Sequence, residues 1–444
     1  MSNLDLGKES ITKLFFKYAI PSVISNIIFS IYIIVDGIFV GRVVGAQGLA
    51  AINIAMPIFS IAMALGIMVS VGGNTVTSIE LGEGKKDEAR KSFSLGFISL
   101  IVISSIMALV ICIFRYQIAK FLGASGDVVA PVVQYLVILC VCVPAFTGGS
   151  YLTAGIRTMG NPTFSMFCII LGSVLNIILD YVLVIMFKWG VAGAALASGI
   201  AFFVSFIVSW FKIQSKDSIL KISKCNIDLK KIGRFFYNGS SEALAEIALA
   251  YTTFIFNIVL MKKIGEMGVS AFSIIQYIAA LVVALFIGIS NGISPIISYN
   301  YGAKNGDRIK SLISLSFKIM IVIGIVCATG LFFGGESLIK LFISDDAKLL
   351  EITALASKIY SLSYIVSGIN ILVSSYFTSL EDAKTSALIA SLRGIVFITI
   401  GILVLPKFLG DTGIWLTTAF SEVLTLIVAL FIMKNSYSTL SEIK

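Results

Sequence analysis

Residues 45–90 read GAQGLAAINIAMPIFSIAMALGIMVSVGGNTVTSIELGEGKKDEAR, and residues 265–310 read GEMGVSAFSIIQYIAALVVALFIGISNGISPIISYNYGAKNGDRIK. Laid over one another without a gap, they share Gly45/Gly265, Gly48/Gly268, Ala51/Ala271, Leu65/Leu285, Ser70/Ser290, Gly72/Gly292, Gly82/Gly302 and Asp87/Asp307. Far downstream, Gly193/Gly413 keep the same offset. One identity means little in apolar sequence, but punctuation shared at fixed spacing marks a duplication. The period is half the chain.

Of 444 residues, 58% are hydrophobic and only 13% charged, and the mean hydropathy is +1.01. Soluble domains carry about 25% charged residues. Apolar runs long enough to cross about 30 Å of hydrocarbon as helix recur twelve times, from about 14–40 to about 414–433, the tenth at about 355–380. No two-residue alternation accompanies them, which disfavours a barrel and leaves helices that satisfy their own backbone. The N-terminal run has no small-residue cleavage site after it and is read as the first span. The predicted fold is all-α integral membrane, with twelve transmembrane helices in two pseudo-symmetric six-helix bundles.

Six spans per repeat return the chain to its starting side, so the halves run parallel about an axis along the membrane normal. Such pairs hold their substrate between the halves and rock about it. The predicted division is an N-terminal lobe at 1–211, a cytoplasmic linker at 212–234 and a C-terminal lobe at 235–444. Seven Lys and Arg residues fall between Lys212 and Arg234. The positive-inside rule then puts both termini in the cytoplasm of a bacterial cell membrane and reads the net charge of +9 as a topology signal, not as a nucleic-acid footprint.

Absences narrow the chemistry. There is no histidine, which excludes His proton relays, Ser-His triads and most zinc or haem sites. The six cysteines show no metal-like spacing. No Gly-Lys-Ser/Thr phosphate loop is present, so energy must come from an ion gradient.

Carboxylates at bilayer depth are costly and face a bundle interior or a water-filled cavity. Asp36 ends a helical stripe with Ser22, Ser25, Phe29 and Tyr32, and Ser173, Asn176 and Asp180 form a second in the fifth span. At about 1.5 Å per residue, Asp36 lies roughly 9 Å below the outer boundary, and Asp180 and Ser198 of the sixth span roughly 12 Å. The four polar residues Asp36, Asn176, Asp180 and Ser198 are therefore predicted to meet, with amide and hydroxyl adding hard oxygen ligands for H+ or Na+. No other metal site is expected. In the second half, Glu242 and Glu246 lie one turn apart in the seventh span, with Asn370 and Ser374 in the tenth. These four are candidates for a second cation site or for meeting a cationic substrate. Glu422 of the twelfth span has Arg393 of the eleventh as a candidate partner. The loop charges after the second span and their twins, Asp307 and Arg308 among them, read as solvated turns or as ion pairs that open and close during rocking.

At Asp36, at TAGIRTMGNPTFSMFCIILGSVLNIILDYVL (153–183) and at WGVAGAALAS (189–198), the sequence resembles the multidrug and toxic compound extrusion (MATE) family. FTSLEDAKTSALIASLRGIVF (377–397) and LPKFLGDTGIWLTTAFSE (405–422) look like its second half, and Glu242 and Glu246 look like the MepA-type branch. The resemblance implies inward–outward alternation and export of amphipathic organic cations in exchange for Na+ or H+. It matches Asp36 to a first-helix acid, Asn176 and Asp180 to a fifth-helix pair, and Ser198 to a hydroxyl position. A tenth-helix acid known in some members is not obvious here; Asn370 and Ser374 lie in that region. The expected activity is secondary antiport by a monomer in membrane lipid, with no enzyme activity, no cofactor and no nucleic-acid partner. Two alternatives are a lipid-linked oligosaccharide flippase, for which only Arg393 and Arg157 could supply cationic charge, and an intramembrane enzyme built on the two aspartates.

Overall fold

The computed structural model describes residues 5–343 and 346–442. The long elements are α1 (Ile11–Val43), α2 (Gly45–Gly82), α3 (Lys86–Ile113), α4 (Val129–Thr158), α5 (Pro162–Met186), α6 (Gly190–Ile213), α7 (Leu229–Lys263), α8 (Glu266–Gly302), α9 (Gly306–Ile339), α10, α11 (Ala383–Leu409) and α12 (Asp411–Glu442). α10 comprises Ala347–Ser361 and Tyr364–Ser379, bent by 50°. Among the described residues there is no strand, and eleven helices are each long and apolar enough to cross a membrane, with the bent pair making a twelfth.

Local sequence sets the helix starts. Asn161 accepts from Phe164 N at 3.3 Å with Pro162 in the first turn, and Asp228, Asp346 and Asp382 cap α7, α10 and the start of α11 in the same way. Gly45 and Gly265, twins in the repeat, take φ of +77° and +84° at the turns into α2 and α8, a region open to glycine at little cost. The break in α10 departs from the single run read at 355–380. There Ser363 Oγ donates to Tyr360 O at 2.7 Å, satisfying a carbonyl that a broken helix frees.

Within the N-terminal lobe α4 packs on α2, α3 and α6, and α5 on α1 and α6; within the C-terminal lobe α10 packs on α8 and α9, and α11 on α7 and α12. The irregular stretch between the lobes is 214–228, because α6 runs to Ile213 and α7 begins at Leu229. Between lobes, α1 lies along α8, and α2 along α7 and α8. Adding 220 to the residue numbers of α1 and subtracting 220 from those of α8 turns the α1–α8 contact into the α7–α2 contact, as a two-fold relation requires.

The shared glycines sit on that two-fold. A Cβ on Gly82 would lie 1.9 Å from Tyr299 O, and one on Gly302 would lie 2.0 Å from Ile79 O. Ile79 and Tyr299 are themselves 220 apart. Gly72 and Gly239 press in the same way on Phe235 O and Met68 O. All these contacts lie toward the face that carries both termini, where Leu6 O accepts from Asn300 Nδ2 at 3.1 Å. Toward the opposite face, a Cβ on Gly37 or Gly41 would meet nothing within 4 Å. The lobes are closed on the termini-bearing face.

Candidate cation site and inter-lobe cleft

Ser173, Asn176 and Asp180 point from α5 into the N-terminal lobe and are buried, Asp180 completely. Directly after Asp180 the helix widens into a π-turn over Tyr181–Met186, an irregularity common at functional sites. Asp36, half-buried on α1, faces Asp180 with the two carboxyl groups in hydrogen-bonding range. With the Asn176 amide oriented to suit both neighbours, its nitrogen donates to Asp180 Oδ2 at 2.9 Å. Its oxygen then accepts from Ser198 Oγ at 3.0 Å and Ser198 N at 3.2 Å. Tyr32 is buried against Ser198, and Tyr135 of α4 is buried beside both acids.

The structure thus brings Asp36, Asn176, Asp180 and Ser198 into one pocket. The amide N–H faces Asp180, the donation that the i, i+4 spacing of Asn176 and Asp180 permits, and the amide oxygen is turned to Ser198. Asp36 Oδ1 and Asp180 Oδ1 are buried and find no hydrogen-bond partner in the protein. Buried acceptors are ordinarily satisfied. No lysine or arginine pairs with either acid among the described residues. Two neighbouring carboxyl groups, each with an oxygen that no donor satisfies and neither paired with a lysine or arginine, form a place that a proton or a small cation would complete.

The C-terminal candidates separate into two places. Glu422 accepts from Arg393 Nε at 2.6 Å and from Asn370 Nδ2 at 2.6 Å, and its own backbone carbonyl takes the same amide at 2.8 Å. Ser374 shares a hydrogen bond with Ser386 Oγ at 2.9 Å. The hydrogen bonds of the Asn370 amide nitrogen and the Ser374 hydroxyl run to α12 and α11 and not to Glu242 or Glu246, while Asn370 Oδ1 is buried without a partner. The Arg393–Glu422 pair is present, and the bonds to both carboxylate oxygens offset much of its desolvation.

Glu242 lies elsewhere, in a cavity of about 50 Å³ between the lobes, with Asn74, Arg157, Ser294, Ser298 and Thr378 among its walls. Arg157 Nη1 donates to Ser165 Oγ at 3.2 Å, while Arg157 Nε and Asn74 Oδ1 are buried without partners. On α7, the residues at 235, 239, 242 and 246 share one face by helical geometry. Phe235 and Gly239 touch α2 on that face. Glu246, exposed one turn beyond Glu242, consequently looks into the cleft between the lobes on the side away from the termini.

Comparison with known proteins agrees with this arrangement. The MatE family model matches residues 21–182 and again 243–403, once per lobe. The chain belongs to the MatE family. It is similar to the multidrug export protein MepA of Staphylococcus aureus, 27% identical over 96% of this chain and 94% of that protein. Among solved structures, a MATE protein in complex with MaD3S shares the fold with a TM-score of 0.94 at 19% identity, over 100% of this chain and 99% of the other. The outward-facing conformation of a multidrug resistance MATE transporter gives 0.92 at 20% identity, over 100% and 99%. As a MatE-family protein the chain is a multi-pass membrane transporter and not an enzyme.

This MatE-family chain also carries an inter-lobe tie that sequence reasoning passed over. Glu80, buried near the end of α2, accepts from Ser92 Oγ at 2.5 Å and pairs with Lys231 Nζ of α7 at 2.8 Å. Its twin in the repeat is Asn300. Arg308 Nε donates to Asn300 Oδ1 at 3.0 Å, and Arg308 Nη2 reaches Leu6 O at 3.2 Å and Glu9 O at 2.7 Å. Both clusters join one lobe to the other on the termini-bearing face. Of the loop charges read as solvated, Glu83 and Lys85 are so: they form an exposed pair at 2.8 Å, which holds the Lys85 ammonium above its ordinary value through the Glu83 carboxylate.

Proposed function

We propose that this transporter exports amphipathic organic cations in exchange for H+ or Na+, by alternating access, across a bacterial cell membrane with both termini in the cytoplasm. The observation that carries the reading is the buried Asp36–Asp180 pair with an orphaned oxygen on each acid. Like charges this close in a poorly solvated pocket repel, and a bound cation relieves the repulsion by drawing α1 and α5 together. Drug affinity falls when the pocket fills and rises when it empties. Linkage then requires that drug binding weaken cation binding by the same factor.

Supporting the drug class, Glu246 offers a negative charge in the cleft, and the S. aureus relative is called a multidrug export protein. The Asn176 amide can serve either ion: its N–H hydrogen-bonds Asp180 when no metal ion is bound, and turning its oxygen inward would supply a ligand to Na+. With cytoplasmic termini, the closed face is the cytoplasmic one and the cleft opens outward. The flippase alternative loses ground because Arg393 is engaged by Glu422 and Arg157 shares its cavity with Glu242, leaving neither of the two candidate arginines free for a diphosphate.

Ethidium efflux from loaded vesicles, driven by a pH gradient or a sodium gradient imposed separately, tests the reading. The expected result is efflux under one of the two gradients: the pH gradient alone would assign H+, the sodium gradient alone would assign Na+, and efflux under neither would remove the antiport mechanism.

A further inference from the structure

At the termini-bearing end of the N-terminal lobe, where α5 begins and α6 ends, a cavity of about 340 Å³ lies outside the transport machinery. Asn161, Thr163, Phe164, Lys212, Ser215 and Asp217 are among its walls. Its unspent donors are Lys212, Ser215 and the Asn161 amide, while Ser218 Oγ is spent on Met159 Sδ at 3.1 Å. Lys212 Nζ stands 5.3 Å from the Phe164 ring centroid and has no carboxylate within ion-pair distance among the described residues. Ser215 Oγ is buried without a partner. The Asn161 oxygen is committed to Phe164 N, so only its amide hydrogens face outward. Asp217, the one acid, is exposed on the linker.

Position adds to this chemistry. The cavity sits where two spans reach the membrane boundary, and aromatic side chains flank it at the lipid surface: Phe167 of α5 is 49% exposed and Phe211 of α6 is 70% exposed. Lys216, Lys221 and Lys224 follow in the linker. A pocket between helices at this level, rich in donors and flanked by lipid-facing rings, matches the phosphodiester of a membrane lipid better than a freely diffusing anion. Basic pockets of this kind hold anionic head groups.

We propose that this cavity is a binding site for the head group of an anionic glycerophospholipid, with Lys212 and Ser215 meeting the phosphate and Phe164 and Phe167 lying along the start of the acyl chains.

The test is native mass spectrometry of the full chain purified in detergent, titrated with phosphatidylglycerol, phosphatidylcholine or inorganic phosphate. One phosphatidylglycerol should be retained per chain in preference to phosphatidylcholine. Lys212→Ala should weaken retention about fivefold, the worth of one basic residue near a lipid surface. Ser215→Ala, which changes no charge, should also weaken it at unchanged melting temperature, and Lys216→Glu, outside the pocket, should not. Equal retention of both lipids, an unaffected Lys212→Ala protein, or an equal loss in Lys216→Glu would overturn the site in favour of diffuse attraction. Displacement of the lipid by excess inorganic phosphate would assign the pocket to a free anion and overturn the lipid proposal.

Discussion

Asp180→Asn is expected to abolish gradient-driven ethidium efflux, lowering the initial rate about 100-fold in loaded vesicles, while the protein folds and still binds drug. The size follows from coupling free energies of about 1–3 kcal/mol between linked sites, here lost at the upper end. Asparagine keeps the volume of Asp180 and an oxygen for the Asn176 amide, so the packing between α1, α5 and α6 survives. What disappears is the ability of the pair to change charge. Asp36→Asn should do the same, and the double variant should be no worse than either alone, since the two acids act as one unit. Undiminished transport in both single variants would take the cation site out of the mechanism.

Lys231→Met is the second large effect. Glu80 would be left as a buried carboxylate facing only Ser92, and breaking a buried pair in this way costs about 3–5 kcal/mol when both partners are fully enclosed. Lys231 keeps 22% of its side chain exposed, which reduces the figure to about 2 kcal/mol. The protein can escape that cost by opening on the termini-bearing face, where water reaches Glu80. The expected outcome is a shift of roughly 30-fold in population toward lobes parted on that face, read by spin-label distances between the termini-side ends of α2 and α7. Exchanging the charges, Glu80→Lys with Lys231→Glu, should recover most of the closed population, whereas the exposed Glu83→Gln should leave it unchanged. An unaltered distance distribution in Lys231→Met would mean that the glycine contacts alone hold this face.

Much of this architecture is legible in the sequence because membrane helices have few options. Gly45/Gly265 and Gly82/Gly302 announce the duplication, and the structure supplies their reasons: a left-handed turn for the first pair and an α2–α8 crossing on the two-fold for the second. Helix rise and the ends of the apolar runs suffice to put Asp36, Asp180 and Ser198 at one depth. Tyr135 escaped because the polar stripe of α4, Thr147, Ser150, Thr153 and Arg157, lies in its second half and draws no attention to the inner face near its start. Glu80 escaped because it stands two residues before Gly82 and the charged turn that follows, and its partner Lys231 lies 151 positions away in a basic linker that looks uniformly solvated. Asn370 and Ser374 gave a polar stripe that periodicity reads equally well as cavity lining or as packing. The position of Glu422, 52 residues downstream, is what shows where the Asn370 amide nitrogen goes. The 50° bend in α10 is invisible in composition, since Leu362 and Ser363 interrupt neither the length nor the hydropathy of the run.

The most direct measurement is drug affinity of the purified protein as a function of pH and of sodium concentration, for the unaltered chain and for Asp36→Asn/Asp180→Asn. The unaltered chain should bind ethidium progressively more weakly as the coupling cation is raised, and the double variant should bind it with an affinity that no longer responds. If the variant lacking both acids keeps the same cation dependence, the occupancy of this pocket does not govern drug binding and another site couples the two.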